Sequence, residues 1–293
     1  MIEKPAIKID RMELADIGRP VTLAQAVLKQ LAPATFPVPV DEIALGSDIL
    51  EIKEHTSEAF EGALITDANK SAGYILVKRG ALPERRRFTI AHELGHWHNG
   101  WHKPVGQGFE CSKDDFRQRD LGKEKSRQQM ETEANRFAAE LLMPIKEFRK
   151  RMGAGGANLE SAMSLDSSFG VSKAAIARRL VDADENCALV ASHLDRIHYI
   201  ARGDQFPWLL LKKGQPLPKT ISVRHAAGLS NQDEVDPCHW LQKSLRDNST
   251  LYEQVLVQGN GYKLTLLSLD ESACEDDDEA EASERSAFDP RFR

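Results

Sequence analysis

Aromatic residues are scarce in this sequence, 6% of 293 positions, and no apolar run approaches the ~18 residues that a membrane-spanning helix needs. No transmembrane helix is therefore expected. The opening Met1-Ile2-Glu3-Lys4-Pro5 lacks the apolar core of a signal peptide, so the cytoplasm is the expected location. Cysteine is also sparse. Cys111, Cys187, Cys238 and Cys274 are scattered and form no C-x-x-C pair, which argues for free thiols rather than a disulfide frame. Cys238-His239 reads as structural rather than as a metal site.

Basic excess is missing too, with a formal net charge of −6. That figure hides an asymmetry. Residues 270–293 hold ten acids and three bases, a net of −7, and leave the rest of the chain at +1. The run Glu275-Asp276-Asp277-Asp278-Glu279 reads as a solvated, disordered acidic tail. Mimicry of nucleic acid or shielding of a basic surface is the other reading. The closing Phe288-Asp289-Pro290-Arg291-Phe292-Arg293 has two aromatics that suit docking to a partner or back onto the protein.

What the sequence does contain is His92-Glu93-Leu94-Gly95-His96, within Arg87-Phe88-Thr89-Ile90-Ala91-His92-Glu93-Leu94-Gly95-His96-Trp97. Residues four apart on a helix share a face one turn apart, so His92 and His96 can grip one metal ion. Glu93 stands beside that ion and can carry a proton from water to a leaving amine. The pattern reads as a zinc hydrolase, most often a peptidase. A solvated helix is the plain alternative. The apolar flanks Phe88, Ile90, Ala91 and Leu94 make it a core helix, where unpaired charge is costly. Gly95 inside the helix costs about 1 kcal/mol relative to Ala and implies close packing or approach by another group.

A catalytic zinc needs a third protein ligand and an open position. The candidate segment is Glu131-Thr132-Glu133-Ala134-Asn135-Arg136-Phe137-Ala138-Ala139-Glu140-Leu141-Leu142-Met143-Pro144, helical by its apolar spacing and stopped near Pro144. Glu133, next to the apolar stripe, is the expected ligand, with Glu131 in reserve. Asn135 or Glu131 is a candidate partner that orients a ligand.

These two long runs, in this order, resemble the ImmA/IrrE metallopeptidases, and defence-associated members called CapP are a nearer comparison. The resemblance covers roughly residues 20–183 and includes Pro39-Val40-Asp41-Glu42-Ile43-Ala44 and Phe169-Gly170-Val171-Ser172. It implies a gluzincin-like bacterial protease that cleaves a helix-turn-helix repressor of the Xre type and releases a silenced operon after DNA damage or other stress. His92, His96 and Glu133 carry over as zinc ligands and Glu93 as the general base.

Elsewhere the pattern predicts a helix capped by Thr22 and broken by Pro33, Pro37 and Pro39, then a short helix opened by Asp41. Strands are expected over 49–52, 63–66 and 73–77, with Pro83 near the start of the metal helix. A small sheet beside that helix fits a zincin, and its edge can hold an extended substrate by main-chain pairing. Residues 99–125 read as a polar connection near the open side of the site. Cys111 lies in it, as an ordinary thiol or as an inhibitory cysteine switch that binds zinc. His98 and His102 are read as partly exposed residues at the helix end, or as stabilisers of the oxyanion.

Residues 145–183 read as helical, with a basic group at Lys146, Arg149, Lys150 and Arg151. Ser172 caps a following helix in a helix-turn-helix-like arrangement, for substrate docking or DNA reading. Residues 187–269 read as a second domain. Strands are expected over 198–201, 208–211, 251–257 and 262–267, with a hairpin at Gly259-Asn260-Gly261 and a short helix over 240–245.

The expected fold class is α+β. A zincin-like metallopeptidase domain carries the HEXXH helix and a small sheet. A helical segment and a smaller mixed α/β domain resembling a GAF or PAS sensor follow. The expected divisions are a flexible N-terminus over 1–20, the peptidase domain with its helix-turn-helix-like segment over 21–184, a sensor over 185–269, and the tail over 270–293. The expected partners are the repressor as substrate and single-stranded DNA as activator. Lys113, Arg117, Arg119, Lys123, Lys125, Arg127 and the basic group offer phosphate contacts. Two other function classes stand beside this one. One is a non-catalytic, zinc-stapled regulator that binds repressor and DNA, and the other is a toxin-like hydrolase of a non-peptide amide.

Overall fold

The computed structural model describes residues 7–104, 108–111, 125–153, 155–242, 245 and 249–269. The chain divides into two compact units, residues 1–154 with 161–179, and residues 155–160 with 180–293.

The first unit is mixed α+β. It begins with α1 (Pro20–Gln30), α2 (Val40–Leu45), β1 (Ile49–His55), β2 (Gly62–Thr66) and β3 (Gly73–Lys78). The helix α3 (Pro83–His98), β4 (Gly108–Cys111), α4 (Lys125–Leu142) and α5 (Ile145–Met152) follow. The chain then forms α6 (Leu159–Met163), α7 (Asp166–Phe169) and α8 (Lys173–Ala183). The sheet order is β1-β3-β2-β4. β1 runs parallel to β3, and the other pairs are antiparallel.

α1 starts earlier than the Thr22 cap predicts. Pro20 occupies its first turn, where the missing N–H costs nothing, and no side chain caps it. Residues 7–20 are packed rather than loose. Ile9 and Leu14 are buried, Ile9 N–H donates to Gly46 O at 2.9 Å, and the Arg11 guanidinium lies 4.0 Å from the Trp97 ring centre. Asp41 in α2 forms a two-pronged ion pair with Arg86 at 2.7 and 3.0 Å, joining α2 to α3.

α3 packs against β2, β3 and α4. Its residues from Thr89 to His98 are all buried, which the apolar flanks of the motif foretold. Arg87 ties its first half to the segment around α7, donating to Gly170 O at 3.0 Å and Val38 O at 2.9 Å. Gly170 ends α7 at φ 61°, a left-handed position that suits glycine. Ser172 Oγ then accepts from Ala175 N–H at 3.2 Å, the cap the sequence predicts. In α8, buried Arg179 pairs with Glu140 of α4 and donates to Met143 O at 2.8 Å.

The second unit is a sheet domain. Its elements are β5 (Cys187–His193), β6 (Arg196–Arg202), α9 (Ile221–Arg224), β7 (Gly228–Leu229), β8 (Asp233–Glu234), β9 (Leu251–Val257) and β10 (Tyr262–Leu269). The order is β6-β5-β10-β9-β7, with β8 also on β9, and every pairing is antiparallel. The predicted hairpin joins β9 to β10, with Asn260 and Gly261 at φ 59° and 77°. β5 has no turn glycine to announce it, because Leu194 and Asp195 take the positive-φ positions before β6.

Residues 208–211 are not a strand. Leu209 makes an isolated bridge to Leu241, and Trp208 is 69% exposed with the Arg202 guanidinium 4.3 Å from its ring centre. The described residues of 240–245 are not helical; a 3-10 turn precedes them at Pro237–His239, with Cys238 N–H donating to the Asp236 side chain. Cys238 and His239 lie in this exposed turn.

The core of this unit surrounds Trp240, Phe206, Val190 and Leu267. A buried carboxylate sits in it. Glu253 accepts from Thr220 Oγ1 at 3.0 Å, Ser222 N–H at 2.6 Å and Trp240 Nε1 at 3.0 Å. Trp240→Phe removes one donor and strands part of that charge. The expected loss is about 1–3 kcal/mol, read from the urea midpoint at constant slope.

Candidate metal centre

The main chain sets the centre of the site. An added Cβ on Gly95 would lie 3.0 Å from Ala134 Cα and 3.2 Å from Ala134 O. Glycine therefore lets α3 and α4 touch backbone to backbone, the close approach its presence mid-helix implies. Gly95→Val wedges the helices apart at atoms that cannot rotate away. The expected cost is about 1–3 kcal/mol, measured by thermal or urea denaturation, with metal binding impaired as well.

Across this contact, the side chains one turn before Gly95 and Ala134, His92 and Glu131, meet together with His96, which follows Gly95. His92 Nε2 lies 3.1 Å from Glu131 Oε2, His96 Nε2 lies 3.5 Å from Glu131 Oε1, and the two Nε2 atoms are 3.2 Å apart. The three residues are buried, and their ligand atoms all lie within 4.8 Å of one another. Two imidazole nitrogens and one carboxylate, converging away from water, could hold a metal ion, and these donor types fit zinc.

Charge in the site is strongly coupled. Burial alone would lower the pKa of His92, but its hydrogen bond to Glu131 and the charges of Glu93 and Glu131 outweigh that and raise it. Burial brings His96 down to about 3, against the pull of Glu131. Burial would raise Glu131, yet the hydrogen bonds from His92 and His96 hold it well below the usual carboxylate range.

Glu133, the ligand expected from the sequence, is not at the two histidines. Its carboxylate accepts from Gln129 Nε2 at 2.8 Å, lies 3.0 Å from His102 Nε2, and faces Asn99 Nδ2 at 3.3 Å. Glu131, the reserve, stands in its place. The physical reason is helical phase. Glu131 and Asn135 are four residues apart and share one face of α4, whereas Glu133 lies two residues from each, about 200° around the helix. Asn135 is the other partner, with Oδ1 3.0 Å from His92 Nδ1.

Glu93 is fully buried beside His92. An added Cβ on Gly62 would lie 3.0 Å from Glu93 Oε1 and 2.2 Å from Thr89 Cγ2. A glycine in β2 therefore admits the carboxylate against the sheet.

The C-terminal end of α3 is held by Lys70. Its Nζ donates to His96 O at 2.6 Å and Asn99 O at 2.8 Å, and burial, with Lys103 and Arg11 nearby, brings its pKa to about 7. His98 and His102 are buried, not partly exposed. His98 lies beside Phe137 with no hydrogen-bond partner for either ring nitrogen among the described residues. Burial, with Arg11 and Lys70 nearby, brings its pKa to about 3. His102 returns toward the site, its Nδ1 3.0 Å from His96 Nδ1.

The connection after α3 includes β4, which pairs with β2 from Gly62 to Ile65. Phe109 of β4 stacks on His96 with ring centres 4.5 Å apart and an interplanar angle of 23°. Nothing in the sequence pattern singled out Phe109. The Cys111 main chain pairs with Gly62. The Cys111 thiol, Lys113, Arg117, Arg119, Lys123 and the acidic tail lie outside the described residues.

Fold and site together describe a mixed α+β domain whose His-His-Glu cluster could hold a metal ion. Residues 50–181 match the peptidase family M78, described as the IrrE N-terminal-like domain. Residues 50–181 are thus similar to the ImmA/IrrE metallopeptidases. No curated protein matches it. Among solved structures, a Mycobacterium tuberculosis transcriptional regulator is similar in fold, with a TM-score of 0.56 at 14% identity, covering 88% of this chain and 79% of that one. No helix among the described residues is long and apolar enough to cross a membrane.

Proposed function

We propose that this chain is a zinc-dependent endopeptidase that cleaves a helix-turn-helix transcriptional repressor. The observation that carries this reading is the convergence of His92, His96 and Glu131, with a second buried carboxylate, Glu93, on the same helix. Bound by those three residues, zinc would polarise the scissile carbonyl and acidify water. Glu93 accepts the proton of the attacking water and delivers it to the leaving nitrogen. β4 is the outermost strand on this side of the described sheet, and its edge offers main-chain pairing to an extended substrate.

The substrate class follows from the likeness of residues 50–181 to that family, and the similar fold of a transcriptional regulator is consistent with it. A protease that destroys a repressor must share a compartment with DNA and stay quiet until signalled. DNA damage, sensed as single-stranded DNA, is the proposed trigger, in a stress or phage-defence setting. The basic residues between α3 and α5 supply phosphate contacts, and the second unit serves as a GAF- or PAS-like sensor. Cys111 is the proposed inhibitory ligand.

The test is incubation of the zinc-loaded protein with the helix-turn-helix protein encoded beside it, with and without a single-stranded oligonucleotide, read by intact mass. Cleavage by wild type and not by Glu93→Gln supports the reading. Absence of cleavage under all conditions favours the non-catalytic regulator.

A further inference from the structure

The turn after α3 brings back a residue that a sequence motif cannot show. Asn99 ends the helix, His102 N–H donates to Asn99 O at 3.1 Å, and Lys70 clamps the carbonyls of His96 and Asn99. This folds the His102 ring against that of His96, with ring centres 5.0 Å apart. The two Nδ1 atoms are 3.0 Å apart, and His102 Nε2 is 3.0 Å from Glu133 Oε2.

The hydrogen-bond geometry along this chain sets the proton positions. Glu133 takes the Gln129 amide proton on one oxygen and faces His102 Nε2 with the other. As an acceptor there, it places the His102 proton on Nε2. A singly protonated ring then leaves Nδ1 as an acceptor. His96 must then donate from Nδ1, and its Nε2 lone pair is freed toward Glu131 and His92. His92 is oriented separately, through Nδ1 and Asn135.

We propose that His102 and Glu133 form a positioning relay that fixes His96 as its Nδ1–H tautomer and so presents Nε2 as a metal ligand. Glu133 thus acts on the metal two hydrogen bonds away rather than by binding it. The inference builds on the zinc reading above, but its first readout needs no metal. Outer partners of metal-bound histidines fix tautomer and ring orientation in this way, and their loss costs about 10–100-fold in metal affinity.

The test is long-range 1H–15N NMR of the imidazoles in the metal-free protein, followed by zinc titration against a competing chelator. Wild type is expected to show His96 protonated on Nδ1 and His102 on Nε2. His102→Phe and Glu133→Ala should let His96 populate the Nε2–H form and weaken zinc binding about 10–100-fold. Glu133→Gln keeps an acceptor oxygen and should rescue both readouts in large part. Glu133→Ala serves if the Phe variant fails to fold, and His102→Gln, whose amide oxygen can take the same proton, should keep His96 protonated on Nδ1. An unchanged His96 tautomer and unchanged zinc affinity in folded His102→Phe or Glu133→Ala would overturn the relay. Failure of wild type to bind zinc would overturn the metallopeptidase reading, while the NMR of the metal-free protein would still decide the relay.

Discussion

Glu93→Gln is expected to lower peptide hydrolysis by about 10²–10⁴-fold, the usual contribution of a positioned general base. The variant keeps the size of the side chain and loses its proton affinity. The site is otherwise unaltered, because His92, His96 and Glu131 meet without any contribution from Glu93 to the ligand set. Zinc content should therefore stay near one per chain while turnover collapses. Measured by intact mass of the cleaved repressor and by metal analysis of the same sample, that split marks catalysis. Equal loss of metal and activity would mean that Glu93 holds the site together. Unchanged biological function would assign zinc a structural role.

Glu131→Gln is expected to have the opposite signature, with metal lost first. Glu131 brings a carboxylate to both Nε2 atoms, and its hydrogen bond and charge help raise the His92 pKa against burial. Replacing it with a neutral amide removes a ligand and the charge that favours a dication. Zinc affinity should fall by more than the ~100-fold upper bound for outer-shell partners. Glu133→Gln in the same titration should stay close to wild type. If the two variants exchanged behaviour, with Glu133 needed and Glu131 dispensable, the site would be as the sequence pattern suggested and not as the geometry places it.

That pair of glutamates shows where the sequence was legible and where it was not. His92, Glu93 and His96 could be read directly because the spacing of one helix puts two imidazoles on one face. Gly95 pointed correctly to close approach by another element. The third ligand depends on which face of α4 meets α3, and two glutamates two positions apart leave that ambiguous. The missing clue was Ala134. Once Gly95 is seen to rest on it, the residues that can reach the histidines follow from helical phase.

His102 was undervalued for a related reason. A turn three residues past the helix end can bring a side chain back under the motif, and only Asn99 and Lys70 reveal that it does. In the second unit, β9 and β10 were legible from Gly259-Asn260-Gly261. β5 was hidden because its turn uses Leu194 and Asp195 rather than glycine, and leucine rarely takes positive φ. The stretch 208–211 has strand composition, but Trp208 and Leu210 face solvent rather than a neighbouring strand. Tertiary context overrode the local preference.

The contact between Gly95 and Ala134 has a consequence for how this protein handles its metal. Where two helices meet main chain to main chain, the separation of the groups they carry is settled when the helices dock. Small zinc fingers differ, since the ion itself draws their ligands together and chelation unfolds them. Here α3 and α4 are fastened by apolar packing, which asks for no ion. Chelation should therefore silence the protein without denaturing it, leaving its circular dichroism intact, and returning zinc should restore it without a refolding step.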